Sequence, residues 1–304
     1  MQEGRSLVKR IGEVEILKVV EMDGMALPAD LLFPGVTAEQ VARGRKALGS
    51  RFVAPDSDAL VWSFHSYVVR AGGRNILIDT CHGNDKNRPH PVEYAHMWKT
   101  DYLGNLARAG LKPEDIDIVL CTHLHIDHVG WNTRLKDGEW VPTFPNAKYL
   151  MTRLDYERYS TIASDEGQEA AVGYWSFQDS VLPVMKAGQA ELIETDHVIE
   201  RELGRGLWLE GAPGHTPGSV LIHAENKQGH AIFCGDAIHH PIQAVEPSLH
   251  VAGEFDTALA MRTRTRVLES CADTSTLLLP AHFPTPSAAR VVSSARGPQF
   301  AFDD

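Results

Sequence analysis

The chain has 304 residues, enough for one large domain or two small ones and for a sizeable buried core. Its 43% hydrophobic and 23% charged content are ordinary globular values, and 40 acidic against 29 basic residues leave a formal charge of −11. An acidic chain without a basic run argues against nucleic acid and against an anionic membrane surface as partners. No apolar run approaches a membrane span, and the start lacks the apolar region of a signal peptide. A cytoplasmic protein is therefore expected. The cysteines Cys81, Cys121, Cys234 and Cys271 form no C-x-x-C pair, and nothing in their spacing calls for an oxidising compartment. Cys121 and Cys234 sit in apolar runs and read as small core residues.

In chain order, residues 13–20 alternate and predict a first strand. Residues 23–50 are broken by Pro28, Pro34 and Gly35, with a short helix at Ala38–Leu48 capped by Thr37. Leu60–Val69 and Asn75–Ile78 read as strands joined by a hairpin at Gly72-Gly73. Asp79 follows directly. A carboxylate there calls for a partner, either a ligand histidine held from behind or a turn cap. His82, Asp85 and His90 lie in a polar loop and read as solvated. Met97–Ala109 predicts a helix ended by Gly110.

The stretch Asp117–Thr133 organises the rest. The apolar residues Ile116, Ile118 and Leu120 predict a buried strand ending at Thr122. His123, His125, Asp127 and His128 follow within six positions, and Gly130 closes the turn. Imidazole and carboxylate are the ligands that borderline divalent ions prefer. Such a crowd at one strand end would stay unsatisfied without a cation, whereas a surface loop needs no such composition.

Downstream, Asp137-Gly138 predicts a hairpin turn, Lys148–Met151 a strand, and Thr152 the cap of a helix from Arg153 to about Ile162. Tyr174, Trp175 and Phe177 form an aromatic cluster, to be read as core or as a pocket wall. Leu207–Glu210, Ser219–Ala224, Ala231–Cys234 and Thr276–Leu279 read as strands, the last of these closing the core. Asp256–Cys271 reads as a helix with Arg262, Arg264 and Arg266 on its solvated face. His215 projects from the turn-rich loop 211–218, Asp236 follows the strand ending at Cys234, and His282 stands past the final strand. Strands alternating with helices fit an α/β, four-layer αββα sandwich, with the ligand-type residues gathered at one rim.

The run His123-Leu124-His125-Ile126-Asp127-His128 resembles the H-x-H-x-D-H mark of the metallo-β-lactamase superfamily. The likeness continues in order through Gly214-His215-Thr216-Pro217-Gly218, Gly235-Asp236 and Pro280-Ala281-His282, with Ile78-Asp79-Thr80 upstream. It covers roughly residues 60 to 285. The resemblance implies the same four-layer fold over 1–304 as a single domain, with an N-terminal arm at about 21–55. That arm is either a surface excursion or, as in lactone-cleaving relatives, a segment that walls the pocket or packs on the partner of a homodimer.

The resemblance also implies two divalent metal ions per chain. His123, His125 and His215 would hold one, Asp127, His128 and His282 the other, and Asp236 would bridge them. A hydroxide between the ions would be the nucleophile, its pKa brought from the bulk value to about 7. Asp127 thereby counts as catalytic as well as ligating. Zinc suits these ligands best; manganese, iron and cobalt stay open. The chain looks most like the lactonase and esterase branch, which includes acyl-homoserine lactonases, and so predicts hydrolysis of an ester or lactone bond in a small-molecule substrate. Organophosphate or aryl-ester hydrolysis is the alternative, and a mononuclear iron oxygenase of a thiol substrate a third. The lactonase branch often carries a tyrosine three residues after the bridging aspartate. His239 stands there instead, either as a hydrogen-bond donor to the reacting carbonyl or as a solvated loop histidine.

Overall fold

Short apolar runs flanked by turn residues fold into strands that fall into two sheets. The computed structural model describes residues 9–88, 96–165, 173–200 and 206–302. Two compact units are present. One comprises Met1–Glu21 and Phe64–His197, and the other Met22–Ser63 and Val198–Asp304.

The strands of the first sheet are β1 (Lys9–Ile11), β2 (Val14–Pro28), β3 (Ala59–Ala71), β4 (Arg74–Ile78), β5 (Ile118–Leu120), β8 (Lys148–Thr152) and β9 (Ala190–Ile193), in the order β1-β2-β3-β4-β5-β8-β9. Between β5 and β8, β6 (Thr133–Lys136) and β7 (Glu139–Pro142) make a separate hairpin. Its turn residues Asp137 and Gly138 both take positive φ, 52° and 85°, as a primed turn demands. β4, β5, β8 and β9 run parallel, with Ile76 opposite Ile118 and Val119 opposite Tyr149. Parallel strands are covered on both faces, which is why they read as unbroken apolar runs. Leu77, Val119, Cys121, Tyr149 and Met151 all belong to the core of this unit. Ligand sites in such sheets form beyond the carboxyl ends of the strands, and here those ends deliver Asp79 and Thr122 side by side.

In the second sheet β10 (Val198–Glu200), β11 (Gly206–Gly211), β12 (Val220–Asn226), β13 (Gly229–Gly235), β14 (Leu277–Pro280), β15 (Ala289–Val292) and β16 (Gln299–Phe302) pair in sequence order. The β13–β14 pair is parallel and brings Gly235 opposite Pro280, so Asp236 and His282 leave the sheet together. β11 and β12 are antiparallel with Gly211 opposite Val220, which places the 212–219 loop at that same end. The helix Thr257–Cys271 lays Ala260, Val267, Leu268 and Cys271 inward, an i, i+3/i+4 stripe against Leu221, Ile232 and Leu278.

Several expectations meet the structure closely. The helix Ala38–Leu48 starts at Thr37 in a capping box with Gln40. All four cysteines are buried free thiols. Thr152 occupies the cap position of the helix Arg153–Ser164, although its side chain makes no capping bond. Phe177 joins the core, while Tyr174 and Trp175 are partly exposed and pack edge to face at 5.1 Å.

Others are corrected. The first strand runs on to Pro28, through residues read as irregular. The helix predicted from Met97 spans only Tyr102–Arg108, because Met97 sits at φ 55° and Thr100 N–H is taken by Asn84 Oδ1 at 2.8 Å. β15 and β16 follow what reads as the last strand. Arg264 is buried, not solvated. It lies in the inward stripe and donates to the carbonyls of Pro247 and Leu249, at 3.0 and 2.9 Å. His82 is likewise buried, its ring between Phe64 and Trp98. His90 lies outside the described residues. Among those described, no helix is long and apolar enough to cross a membrane.

Candidate metal centre

The first unit carries His123, His125, Asp127 and His128 on the loop after β5, and Asp79 is the pivot beneath them. Asp79 adopts φ 55°, a sparsely populated region for a non-glycine residue. Its Oδ1 accepts from the Thr122 amide at 2.7 Å, and its Oδ2 from the Thr122 hydroxyl at 2.8 Å and His128 Nδ1 at 2.9 Å. The Thr122 oxygen has given its only proton to Asp79, so its 3.1 Å contact with His123 Nδ1 is one that it accepts. Both imidazoles therefore carry an N–H on Nδ1, which leaves Nε2 as the nitrogen that could ligate an ion. This is how metal-ligating histidines are oriented. Asp79 meets a candidate ligand from behind, as its position past the strand suggests. His128 Nε2 lies 3.7 Å from Asp127 Oδ2, and the His123 ring is 4.7 Å from that of His125 and 4.0 Å from that of His128.

The loop is fastened to the segment after β4. Thr80 N–H donates to His128 O, Gly130 N–H to Cys81 O and Trp131 N–H to Thr80 O, each at 2.7 Å. A Cβ on Gly130 would come within 1.8 Å of the His82 carbonyl oxygen, so only glycine fits. Glu21 closes this zipper. It accepts from the amides of His82 (2.8 Å) and Gly83 (3.1 Å), Trp131 Nε1 (2.6 Å) and Thr100 Oγ1 (3.3 Å). Burial pushes its carboxyl up to about 7, against the hydrogen bonds that favour the charged form.

The second unit gathers its residues on Asp236. Asp236 Oδ2 is 3.2 Å from His215 Nε2 and 3.0 Å from His239 Nε2, and Oδ1 is 3.0 Å from His282 Nε2. His282 Nδ1 is 3.2 Å from the Ser63 carbonyl, which can only accept, so His282 too carries an N–H on Nδ1 and leaves Nε2 as the nitrogen that could ligate. The Trp62 ring lies 5.0 Å from that of His282. Gly214 takes φ 135°, and a Cβ there would meet Ala260 N at 2.2 Å, so the loop rests directly on the first turn of the helix.

The imidazoles and carboxylates of both units are of the donor types that borderline divalent ions take. An imidazole Nε2 lies toward a carboxylate oxygen in both: His128 3.7 Å from Asp127 Oδ2, and His282 3.0 Å from Asp236 Oδ1. His239 differs. Burial pulls its imidazole down to about 4, against the pull of Asp236, so it is neutral near pH 7. The reading of His239 as a solvated loop histidine is overturned, since it is 2% exposed.

The structure thus brings together His123, His125, Asp127 and His128 in one unit, and His215, Asp236, His239 and His282 in the other. The sequence assigns no site role to Thr122, Ser63 or Trp62. Ser63 acts through its carbonyl, which no side-chain motif reveals. Thr122 was visible as the residue ending the strand, but its hydroxyl relay needs the position of Asp79.

These features define a mixed α/β enzyme with candidate His and Asp metal ligands at its strand ends. The chain belongs to the Metallo-beta-lactamase superfamily, whose sequence pattern matches residues 62–292. An N-acyl homoserine lactonase from Bacillus sp. is 31% identical over 176 residues, 57% of this chain and 58% of that protein. The chain thus spans little more than half the length of the curated relatives it matches. Among solved structures, the hydrolase AbOPH of the beta lactamase superfamily aligns over 100% of both chains at 23% identity and a TM-score of 0.79. AidC, described as a dizinc quorum-quenching lactonase in complex with a product, covers 98% of this chain and 97% of its own at 18% identity and a TM-score of 0.74. The fold is the metallo-β-lactamase fold that the motifs imply.

Proposed function

We propose that the protein is a dinuclear metal-dependent hydrolase that opens an ester or lactone bond of a small molecule. The single observation that carries this reading is the imidazole held through Nδ1 with its Nε2 turned toward a carboxylate in each half of the candidate ligand set. Residues 1–304 would then work as one catalytic domain, since the family pattern runs unbroken through residues of both units.

His123, His125 and His215 would hold one ion, Asp127, His128 and His282 the other, and Asp236 both. Zinc fits these nitrogen and oxygen donors best. The ions would supply Lewis-acid polarisation of the scissile carbonyl and a water acidic enough to attack near neutral pH. The chain's own part is orientation. Thr122 and Asp79 fix the tautomers of His123 and His128, and Ser63 fixes that of His282. His239, neutral and so carrying a single N–H, would turn it from Asp236 to the carbonyl oxygen of the substrate. The lactonases among the relatives support a lactone as substrate.

Metal analysis of protein purified without chelator should find two ions per chain. Chelation should remove activity against a panel of lactones, aryl esters and phosphotriesters, and zinc should restore it. Activity that survives complete removal of metal overturns the reading. A clear preference for phosphotriesters would move the substrate to the organophosphate class while leaving the ligand roles in place.

A further inference from the structure

Arg88 grips the motif loop from outside the ligand pattern. It is 1% exposed, and every N–H of its guanidinium is engaged. Nε donates to Asp179 Oδ2 at 2.9 Å, and Nη2 to Asp179 Oδ1 at 2.6 Å and Ser180 Oγ at 2.9 Å. Nη1 donates to the carbonyls of Ile126 at 2.6 Å and His82 at 3.3 Å. Asp179 stands on a π-helical turn, Phe177–Val181, where the Leu182 N–H reaches back to Phe177 O. Such single wide turns concentrate at functional sites. Lys86 completes the cluster. Its Nζ donates to Thr133 Oγ1 at 2.6 Å and to Asp179 O and Ser180 Oγ at 3.1 Å, and sits 3.6 Å over the Trp140 ring.

Two properties set this cluster apart from packing. A buried ion pair is a poor way to fill a core, because apolar residues of similar volume are often neutral or more stabilising. The acceptor it reaches is also specific. Ile126 lies between His125 and Asp127, and a short charge-assisted bond to its carbonyl fixes the peptide plane that leads into Asp127. The turn's own bond, His128 N–H to His125 O at 3.1 Å, spans this peptide without holding it.

We propose that Arg88, anchored by Asp179, is a positioning residue for Asp127. It sets the angle at which that carboxylate meets the ion shared with His128. The proposal rests on the reading of Asp127 as a ligand. Losing the grip leaves the tautomer relay through Asp79 and Thr122 intact, so His123 and His128 keep their orientation while Asp127 loses its own.

Two variants test this by Co(II) titration of the metal-free protein, followed by absorption spectroscopy and kinetics. Arg88→Met/Asp179→Leu removes both charges of the pair together; Lys86, 3.5 Å from Asp179 Oδ1, loses its carboxylate but can shed its proton, since burial already pulls its ammonium down to about 7. Arg88→Lys keeps a cation but not the planar fork that spans Asp179 and Ile126. The double variant should melt close to the wild type and bind its first Co(II) unchanged. Its second Co(II) should bind on the order of 10–100-fold more weakly, with an altered visible spectrum. kcat should fall while KM stays within about twofold, with Arg88→Lys lying between. Wild-type affinity and spectra for both equivalents in the variants overturn the positioning role alone. So does failure of both variants to fold, which would mark the pair as structural. A wild-type chain that takes up fewer than two Co(II) overturns the dinuclear reading itself, and this proposal with it.

Discussion

The two halves of the candidate ligand set are built by opposite means. In the first unit four candidate ligands crowd into His123–His128, a loop with no sheet ladder of its own. Its order comes from side chains reaching in: Asp79, Thr122, Glu21 and Arg88. In the second unit the candidates are spread from His215 to His282. Strand register gathers them, with Gly235 opposite Pro280 and Gly211 opposite Val220. A local cluster needs a scaffold of hydrogen bonds, whereas a distributed one takes its rigidity from the sheet.

The largest effects should separate the halves. Asp236→Ala removes the carboxylate that lies within 3.2 Å of His215, His239 and His282 alike. It should release both ions and lower activity by roughly 10³-fold or more, beyond the loss of a single catalytic donor. A variant that still holds two ions would break the bridging role. Asp127→Ala should instead lower the stoichiometry from two ions to one. Two ions at wild-type affinity with activity lost would make Asp127 a base and not a ligand, and its pH–rate profile would lose one limb.

The same contrast governs what could be read from sequence. The H-x-H-x-D-H run is contiguous, so its chemistry shows at once. The strands that deliver it are apolar runs because they are parallel and covered on both faces. His215, Asp236 and His282 stood out only through their order along the chain. Burial of polar residues was the least legible feature, because it depends on distant partners. His82 looks like a loop histidine until its amide meets Glu21, far back on β2. Arg264 looks solvated until the helix turns it toward the Pro247 and Leu249 carbonyls. Nothing in the spacing of Arg88 and Asp179 announces their pairing.

Smaller effects sharpen the comparison. His239→Ala should lower kcat by on the order of 10²-fold with metal content unchanged, if its N–H serves the reacting oxygen. Lost metal would make it part of the ion-binding set instead. Asp79→Asn places an amide where two N–H groups and a hydroxyl donate. It should weaken metal binding or activity by about 10–100-fold, chiefly through His128. Equal weakening of both ions in a competition titration would show that Asp79 acts through Thr122 on His123 as strongly as it acts on His128.

The smallest effect is a pair of opposed pH slopes, one from each unit. Glu21 in the first unit is raised by burial from 4.5 to about 7. Between those values the folded chain keeps a proton that the unfolded chain has released. Its contribution is therefore fully present below pH 4.5 and is lost as pH rises toward 7. His240 in the second unit is lowered by burial from 6.5 to about 3. Its Nε2–H is given to the Phe52 carbonyl at 3.1 Å, and its Nδ1 accepts from the Ile242 amide at 3.1 Å, so the ring has no place for a second proton. Below pH 6.5 the unfolded chain gains a proton that the folded chain refuses, and stability falls with pH toward 3. Each slope is bounded at about 1.4 kcal/mol per pH unit for a single proton. Urea midpoints measured from pH 5 to 8 should show Glu21→Gln losing the decline on the neutral side and His240→Gln losing the decline on the acid side. Identical profiles for both variants and the wild type would mean that neither group titrates with folding, and that the halves differ in construction but not in their response to protons.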